Sequence, residues 1–261
     1  MTAEVEHTAW RRQGHLLVSP ALSARGLVAG STTRGLGSMG GAATPPEDAA
    51  RHREALAARL GFSGVVRVKQ VHGDTVLRAD RPFAWPWPEA DAIWTDSPGV
   101  LLGVVAADCV PVLIADDAGR IGAAHAGWEG TSKHVAIRLV EALRAAGSDP
   151  SRMVATLAPS IGPCCYTVGS ERAALIRERL GPVAHRALIA RDGSTVFDLW
   201  TANAMQLRAA GVGTVEVAGE CTRCGDEDVF SRRGGDIGLL GMAFIGRMTG
   251  AAGAELPRKQ A

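Results

Sequence analysis

The stretch Val100-Leu-Leu-Gly-Val-Val-Ala-Ala-Asp-Cys-Val-Pro-Val-Leu-Ile-Ala-Asp-Asp-Ala-Gly-Arg-Ile-Gly-Ala-Ala-His-Ala-Gly-Trp-Glu-Gly130 decides how this chain is read. It holds three apolar runs rich in β-branched residues, at 100–107, 110–115 and 121–124. Runs of that length and composition are strands. Asp117 to Gly119 supplies a turn between the last two, which predicts a short antiparallel meander over 100–124. Working outward, further strands are expected at 27–32, 65–71 and 153–158. Helix-period segments follow at 46–60, 131–146, 170–180 and 199–210, and each is closed by a glycine: Gly61, Gly147, Gly181 and Gly211. Strands alternating with such helices predict an α/β fold of mixed sheets with flanking helices. Residues 82–89, with Trp85 and Trp87 among three prolines, read as an irregular surface loop or a flap over a ligand.

The chain has 261 residues, of which 46% are hydrophobic and 21% charged, enough for one large core. Its formal charge of +1 carries no footprint for nucleic acid or an anionic membrane. Small-molecule chemistry is the better expectation. Glu4, Glu6, Arg11 and Arg12 leave the first fifteen residues without the apolar core of a secretory signal. The longest apolar stretch, 98–115, is broken by Asp108 and Pro111, which argues for two buried strands and against a membrane span. A cytoplasmic protein is expected. Five cysteines, an odd number, do not make a disulfide framework.

Three residues that ligate borderline metals follow directly on three of the expected strands: His72, Cys109 and His125. Strand ends are where α/β proteins build sites, because a rigid strand holds what the loop presents. Two imidazoles and one thiolate suit zinc, and three protein ligands leave a position open for water or substrate. Asp74 lies close to His72 and Asp108 beside Cys109, so either could orient a ligand imidazole or move a proton. Gly127 and Gly130 around Trp128 and Glu129 form a strand-to-helix turn that could offer amides to an anion. Cys164 and Cys165 read as buried thiols, since adjacent cysteines bridge only under strain. Cys221 and Cys224 have the spacing of half a zinc knuckle with no second such pair, which argues against a structural metal there. His52-Arg-Glu54 matches the His-x-Glu of zinc deaminases but falls inside an expected helix, without the Pro-Cys-x-x-Cys that should follow.

The strings Lys69-Gln-Val-His-Gly-Asp74, Ala107-Asp-Cys-Val-Pro-Val112, Ala124-His-Ala-Gly-Trp-Glu-Gly130 and Ala158-Pro-Ser-Ile-Gly-Pro-Cys-Cys-Tyr166 resemble, in order, the signature motifs of the YfiH-like family. Members of that family are described variously as polyphenol oxidase or laccase, purine nucleoside phosphorylase with adenosine deaminase activity, and peptidoglycan editing factor. The resemblance spans roughly 30–246 and implies a single domain over 1–261, a layered α/β fold similar to the YfiH-like cysteine hydrolase fold. It places the family's metal and catalytic triplet on His72, Cys109 and His125, with zinc as the metal and copper as an alternative occupant. It implies Arg34, Gln70, Arg232 and Arg233 as substrate-binding residues. The implied reaction is zinc-dependent phosphorolysis of adenosine, inosine, guanosine or methylthioadenosine to base and ribose 1-phosphate, with adenosine deamination beside it. The implied partners are therefore a nucleoside and phosphate. Two departures stand out: Gly37-Ser-Met-Gly40 replaces the usual Ser-Leu-Asn, and Phe230-Ser-Arg-Arg-Gly-Gly-Asp236 departs from the family's Phe-Ser-x-Arg-Arg-Asp.

Two other readings stay open. Cys109 could be a nucleophile with His125 as its base, in a hydrolase acting on peptidoglycan precursors. A structural zinc in a binding protein is the other. Four-copper oxidase chemistry is disfavoured, because seven histidines with no His-x-His pair cannot hold such clusters, although copper itself would bind these donors.

Overall fold

A computed structural model describes residues 7–250. Glu4 and Glu6 lie outside the described residues. In chain order the strands are β1 (Arg11–Gln13), β2 (Leu16–Val18), β3 (Val28–Thr32), β4 (Val65–Val66), β5 (Val76–Arg78), β6 (Ala92–Thr95), β7 (Leu101–Ala106) and β8 (Val110–Ala115). They continue as β9 (Ile121–Ala126), β10 (Val154–Leu157), β11 (Thr167–Val168), β12 (Leu188–Arg191), β13 (Ser194–Phe197), β14 (Thr214–Val217) and β15 (Gly241–Gly246). The helices are α1 (Pro20–Ser23), α2 (Pro46–Arg59), α3 (Trp128–Ser132), α4 (Val135–Ala145), α5 (Ser170–Leu180), α6 (Ala184–Ala187) and α7 (Leu199–Ala209).

Two six-stranded mixed sheets form the centre, one ordered β1-β2-β3-β15-β7-β4 and the other β14-β10-β8-β9-β6-β5. A small sheet, β11-β13-β12, stands beside them. Alternate residues of each central strand face opposite ways, and both faces are buried. Leu113, Ala115, Ile121 and Ala123 of the second sheet pack on Leu102, Val104, Ala243 and Ile245 of the first. The outer face of the second sheet, with Val112, Ile114 and Ala124, is covered by Leu139 and Leu143 of α4 and by α7. Met242 and Phe244 on the outer face of the first sheet are covered by Leu56 and Leu60 at α2. The layers are thus helix, sheet, sheet, helix, and burial on both faces is why the strands read as continuous apolar runs.

The helices expected at 46–60, 170–180 and 199–210 are present, and their closing glycines take positive φ, for example Gly61 at 81° and Gly211 at 88°. The segment 131–146 is broken: α3 and α4 meet at His134, whose φ is 64°. The meander over 100–124 is corrected. β8 and β9 do pair across the expected turn, but β7 pairs with β15 and β4 in the other sheet. The chain changes layers at 107–109, where Asp108 has φ 83°. The strand expected at 65–71 reaches only Val66, since Gln70 uses its side-chain amide to bond both the N–H and the C=O of Val105, at 2.8 Å each. In the loop 82–89, Trp85 is exposed while Trp87 lies under the guanidiniums of Arg53 and Arg67.

Leu113 is fully buried between the two sheets. Leu113→Ala is expected to lower stability by roughly 2–5 kcal/mol, read as a reduced urea midpoint with an unchanged m-value.

Candidate metal centre

The change of layer at 107–109 sets Cys109 at the start of β8, and β9 carries His125 on its face toward the other sheet. His72 comes from the irregular segment after β4, with φ 57°. Nitrogen and sulfur atoms of these three residues lie within 4.8 Å of one another. The two imidazole rings meet edge to face, centroids 4.8 Å apart at 74°. His125 is buried, Cys109 half-buried and His72 exposed, so the group opens outward on the His72 side.

Asp91, just before β6, has no solvent exposure and holds this arrangement. Its carboxylate accepts the backbone N–H groups of Val71 and His72 at 3.0 Å each and of Gly73 at 2.6 Å. It also accepts a hydrogen bond from Nδ1–H of His125 at 2.9 Å, which leaves Nε2 as the nitrogen of that ring not engaged by Asp91. Burial pushes the Asp91 carboxyl up, but the His125 bond and the backbone donors outweigh it and hold the group below the usual carboxylate range. Burial also opposes a Cys109 thiolate; the charge and hydrogen bonds of His125 and His72 overcome that and bring the thiol down to about 6. Burial opposes an imidazolium at His125 in turn, and Cys109 and Asp91 raise it to about 9. The metal-free site is therefore a thiolate–imidazolium pair. Gly127 is required by space: a Cβ there would stand 2.6 Å from Cys109 Sγ and 3.3 Å from His72 Cδ2.

The other candidates are placed as follows. Asp108 orients no imidazole; it is buried and accepts from Thr222 Oγ1 and Ser231 Oγ at 2.7 Å and from the Arg233 N–H at 2.8 Å, fixing the crossover. Asp74 faces Arg138 at 3.6 Å. Glu129 pairs with Lys133 at 3.2 Å, and Lys133 also donates to the His72 carbonyl at 2.8 Å. Gln70 is committed to Val105, and Arg34 to Asp236 with its guanidinium over Phe230, so neither extends into the group. Arg232 is exposed and makes no side-chain hydrogen bond among the described residues. Arg233 stacks over Tyr166 at 5.0 Å and donates to the Thr167 carbonyl. Burial raises the Tyr166 hydroxyl, with Arg172 and Arg233 opposing and Cys109 adding, so these four groups share one neighbourhood. His52, within α2, donates from Nδ1 to the Ser38 carbonyl at 2.9 Å, far from a deaminase pattern.

Asp91 and Arg172, whose guanidinium stacks over Trp128 at 4.8 Å, are absent from the sequence-based set. An acid set between Ala90 and Ala92 before an apolar run is the signal that could have singled out Asp91. Cys164, Cys165, Cys221 and Cys224, read from the sequence as two unrelated pairs, converge into one cluster.

Residues 37–254 match the family model described as multi-copper polyphenol oxidoreductase laccase. A purine nucleoside phosphorylase of Deinococcus radiodurans is 42% identical over 205 residues, covering 77% of this chain and 78% of the relative. Purine nucleoside phosphorylase YfiH of Escherichia coli is 32% identical over 229 residues, covering 80% of this chain and 89% of the relative. The crystal structure of YlmD from Geobacillus stearothermophilus superposes with a TM-score of 0.80 at 32% identity, over 92% of this chain and 99% of that one. The mixed α/β fold is the one those proteins share.

Three outcomes are expected. Asp91→Asn should weaken metal binding about 10–100-fold in competition with a zinc chelator, because the His125 orientation depends on that carboxylate. A carboxyl held below its unfolded value of about 3.9 stabilises the fold above that pH and loses the contribution as pH falls through its folded value. Acid titration should therefore cost the wild type this increment of stability, and the variant should lack it. In chelator-treated protein, Cys109 should alkylate with a midpoint near about 6, and His125→Ala should move that midpoint up.

Proposed function

The chain belongs to the multi-copper polyphenol oxidoreductase laccase family, and we propose that it is a cytoplasmic, zinc-dependent purine nucleoside phosphorylase with its site at His72, Cys109 and His125. The observation that carries this reading is the donor set itself: two imidazoles and a thiolate within 4.8 Å, one imidazole already oriented by Asp91. Those donors fit a borderline divalent cation, and Gly127 keeps clear the space beside Cys109 and His72 that any Cβ would enter. Copper fits the same donors. Bound zinc would supply Lewis acidity toward a phosphate or substrate oxygen and, for adenosine deamination, a water acidic enough to act near neutral pH.

Phosphorolysis needs phosphate aligned on the anomeric carbon and a proton for the departing purine, because the sugar acquires oxocarbenium character as the base leaves. Arg172 and Arg233, gathered around Tyr166 and Cys109, bring the positive charge that a phosphate requires. Of the four expected substrate residues, Arg233 is the one assigned to phosphate, Arg34 and Gln70 being bonded to Asp236 and Val105. Glu129, half-exposed in the first turn of α3 directly after the His125 strand, is assigned to proton delivery for both reactions. Asp108 is unsuited, its two oxygens being committed to three donors. Adenosine, inosine, guanosine and methylthioadenosine are the proposed substrates.

The thiolate–imidazolium pair favours one second reading, a hydrolase of peptidoglycan precursors with Cys109 as nucleophile. A thiolate held by a metal is not free to attack, so metal content separates the two. Polyphenol oxidation has less support: among the described residues the clusters of possible ligands are this triplet and four cysteines, which do not make a multi-copper centre.

With zinc-loaded protein and inosine, release of hypoxanthine should require phosphate and yield ribose 1-phosphate, and Cys109→Ala should abolish it. Arg233→Ala should raise the KM for phosphate about 10–100-fold, the loss of a hydrogen bond to a charged group. Zinc-loaded wild type that releases no base in the presence of phosphate would falsify the phosphorylase reading.

A further inference from the structure

β10 and β14 run side by side and parallel, so the chain segments beyond their C-terminal ends emerge together. The first carries Cys164 and Cys165, the second Cys221 and Cys224. Backbone bonds join the two segments: Ser160 N–H donates to the Glu220 carbonyl at 3.2 Å and Thr222 N–H to the Ser160 carbonyl at 3.1 Å. Gly162 turns tightly against Trp200, where a Cβ would stand 2.7 Å from the indole. The four sulfurs consequently lie within 4.8 Å of one another, Cys164 and Cys224 at 3.4 Å, and all four are free thiols. Gly162 N–H donates to Cys221 Sγ at 3.3 Å, and the backbone N–H groups of Arg223 and Cys224 bond the same sulfur. Donors of this kind favour the thiolate.

The spacing selects among the chemistries open to four thiols. Zinc–sulfur bonds of about 2.3 Å in a tetrahedron place sulfurs about 3.8 Å apart, so sulfurs that already lie within 4.8 Å of one another need to close in by no more than about 1 Å. The observed cluster has the size of one ion's ligand sphere. An iron–sulfur cluster, with several metal atoms between its cysteines, needs a wider cage. A disulfide needs sulfurs about 2.05 Å apart and would engage two of the four, leaving the remaining pair unexplained.

We propose that Cys164, Cys165, Cys221 and Cys224 form a second metal site, structural and closed, that takes one zinc-class divalent cation through four sulfurs. On binding, each thiol gives its proton to solvent and its sulfur lone pair forms the bond to the ion, with no change of oxidation state. The position of the site gives it a task. Thr222 lies between Cys221 and Cys224 and donates to Asp108 at 2.7 Å, so the ion anchors the loop that holds the layer-crossing turn beneath Cys109. The exposed edge at Cys164 and Cys224 leaves the site open to loading and to chelators.

The test uses the full chain carrying His72→Ala and Cys109→Ser, which removes the first site and keeps all four cysteines. Reduced protein titrated with cobalt(II) chloride should bind about one equivalent, with the strong thiolate-to-cobalt absorption of a tetrahedral four-sulfur site, and zinc chloride should displace it. Adding Cys221→Ser and Cys224→Ser should abolish the band. Native mass spectrometry of the zinc-loaded wild type reads the same point without any substitution, as two metal ions per chain where the first site alone would hold one. A reduced background variant that develops no sulfur–cobalt band, or a wild type that holds a single ion, overturns the proposal. So does a Cys164–Cys224 disulfide in protein prepared under reducing conditions.

Discussion

Asp91 is a carboxylate with no solvent exposure, and such a charge is tolerated inside a protein only when donors converge on it. Here the donors are three consecutive backbone N–H groups, Val71 to Gly73, and the Nδ1 of His125. Satisfying one buried charge thereby fixes a chain segment before β5 against a side chain on β9. It also holds His72 at φ 57°, a conformation that a free histidine seldom keeps. Everything the site can do follows from that: which nitrogen of His125 is free, how near His72 approaches it, and why Cys109 beside them ionises readily.

The second constraint is the passage between layers. Two sheets stacked face to face share one apolar seam, and the chain must cross it without leaving backbone polar groups stranded. The crossing at 107–109 is made by an aspartate at positive φ whose carboxylate is held by Thr222, Ser231 and the N–H of Arg233. The C-terminal loops thus brace the turn that presents Cys109. Two of the four clustered cysteines, Cys221 and Cys224, lie in one of those bracing loops, on either side of Thr222.

Much of this was legible in the sequence. Three of the four helices ended by glycine stand where their period put them, the fourth being broken at His134, and the apolar runs at 27–32, 100–107, 110–115, 121–124 and 153–158 each hold a strand. His72, Cys109 and His125 were singled out as strand-end residues and they do meet, although His72 stands six residues beyond β4 and His125 lies inside β9. The pairing of β7 was misread, since two apolar runs separated by a short break look the same whether they turn back on each other or change sheets. Asp91 was missed because an isolated acid beside a strand is usually solvated, and only the fold shows the donors around it. That Arg34 bonds Asp236 and Gln70 the Val105 backbone could not be read locally, because those partners are distant in sequence.

By itself, then, the sequence determined the local elements, the two-sided burial of the central strands and the identity of the donors, because periodicity and residue chemistry are local properties. Only the tertiary structure decided which strands pair, which carboxylate orients His125, and that two pairs of cysteines 56 and more residues apart form one cluster. Those outcomes depend on long-range hydrogen bonding and on the parallel alignment of β10 with β14, which no local pattern of side chains encodes.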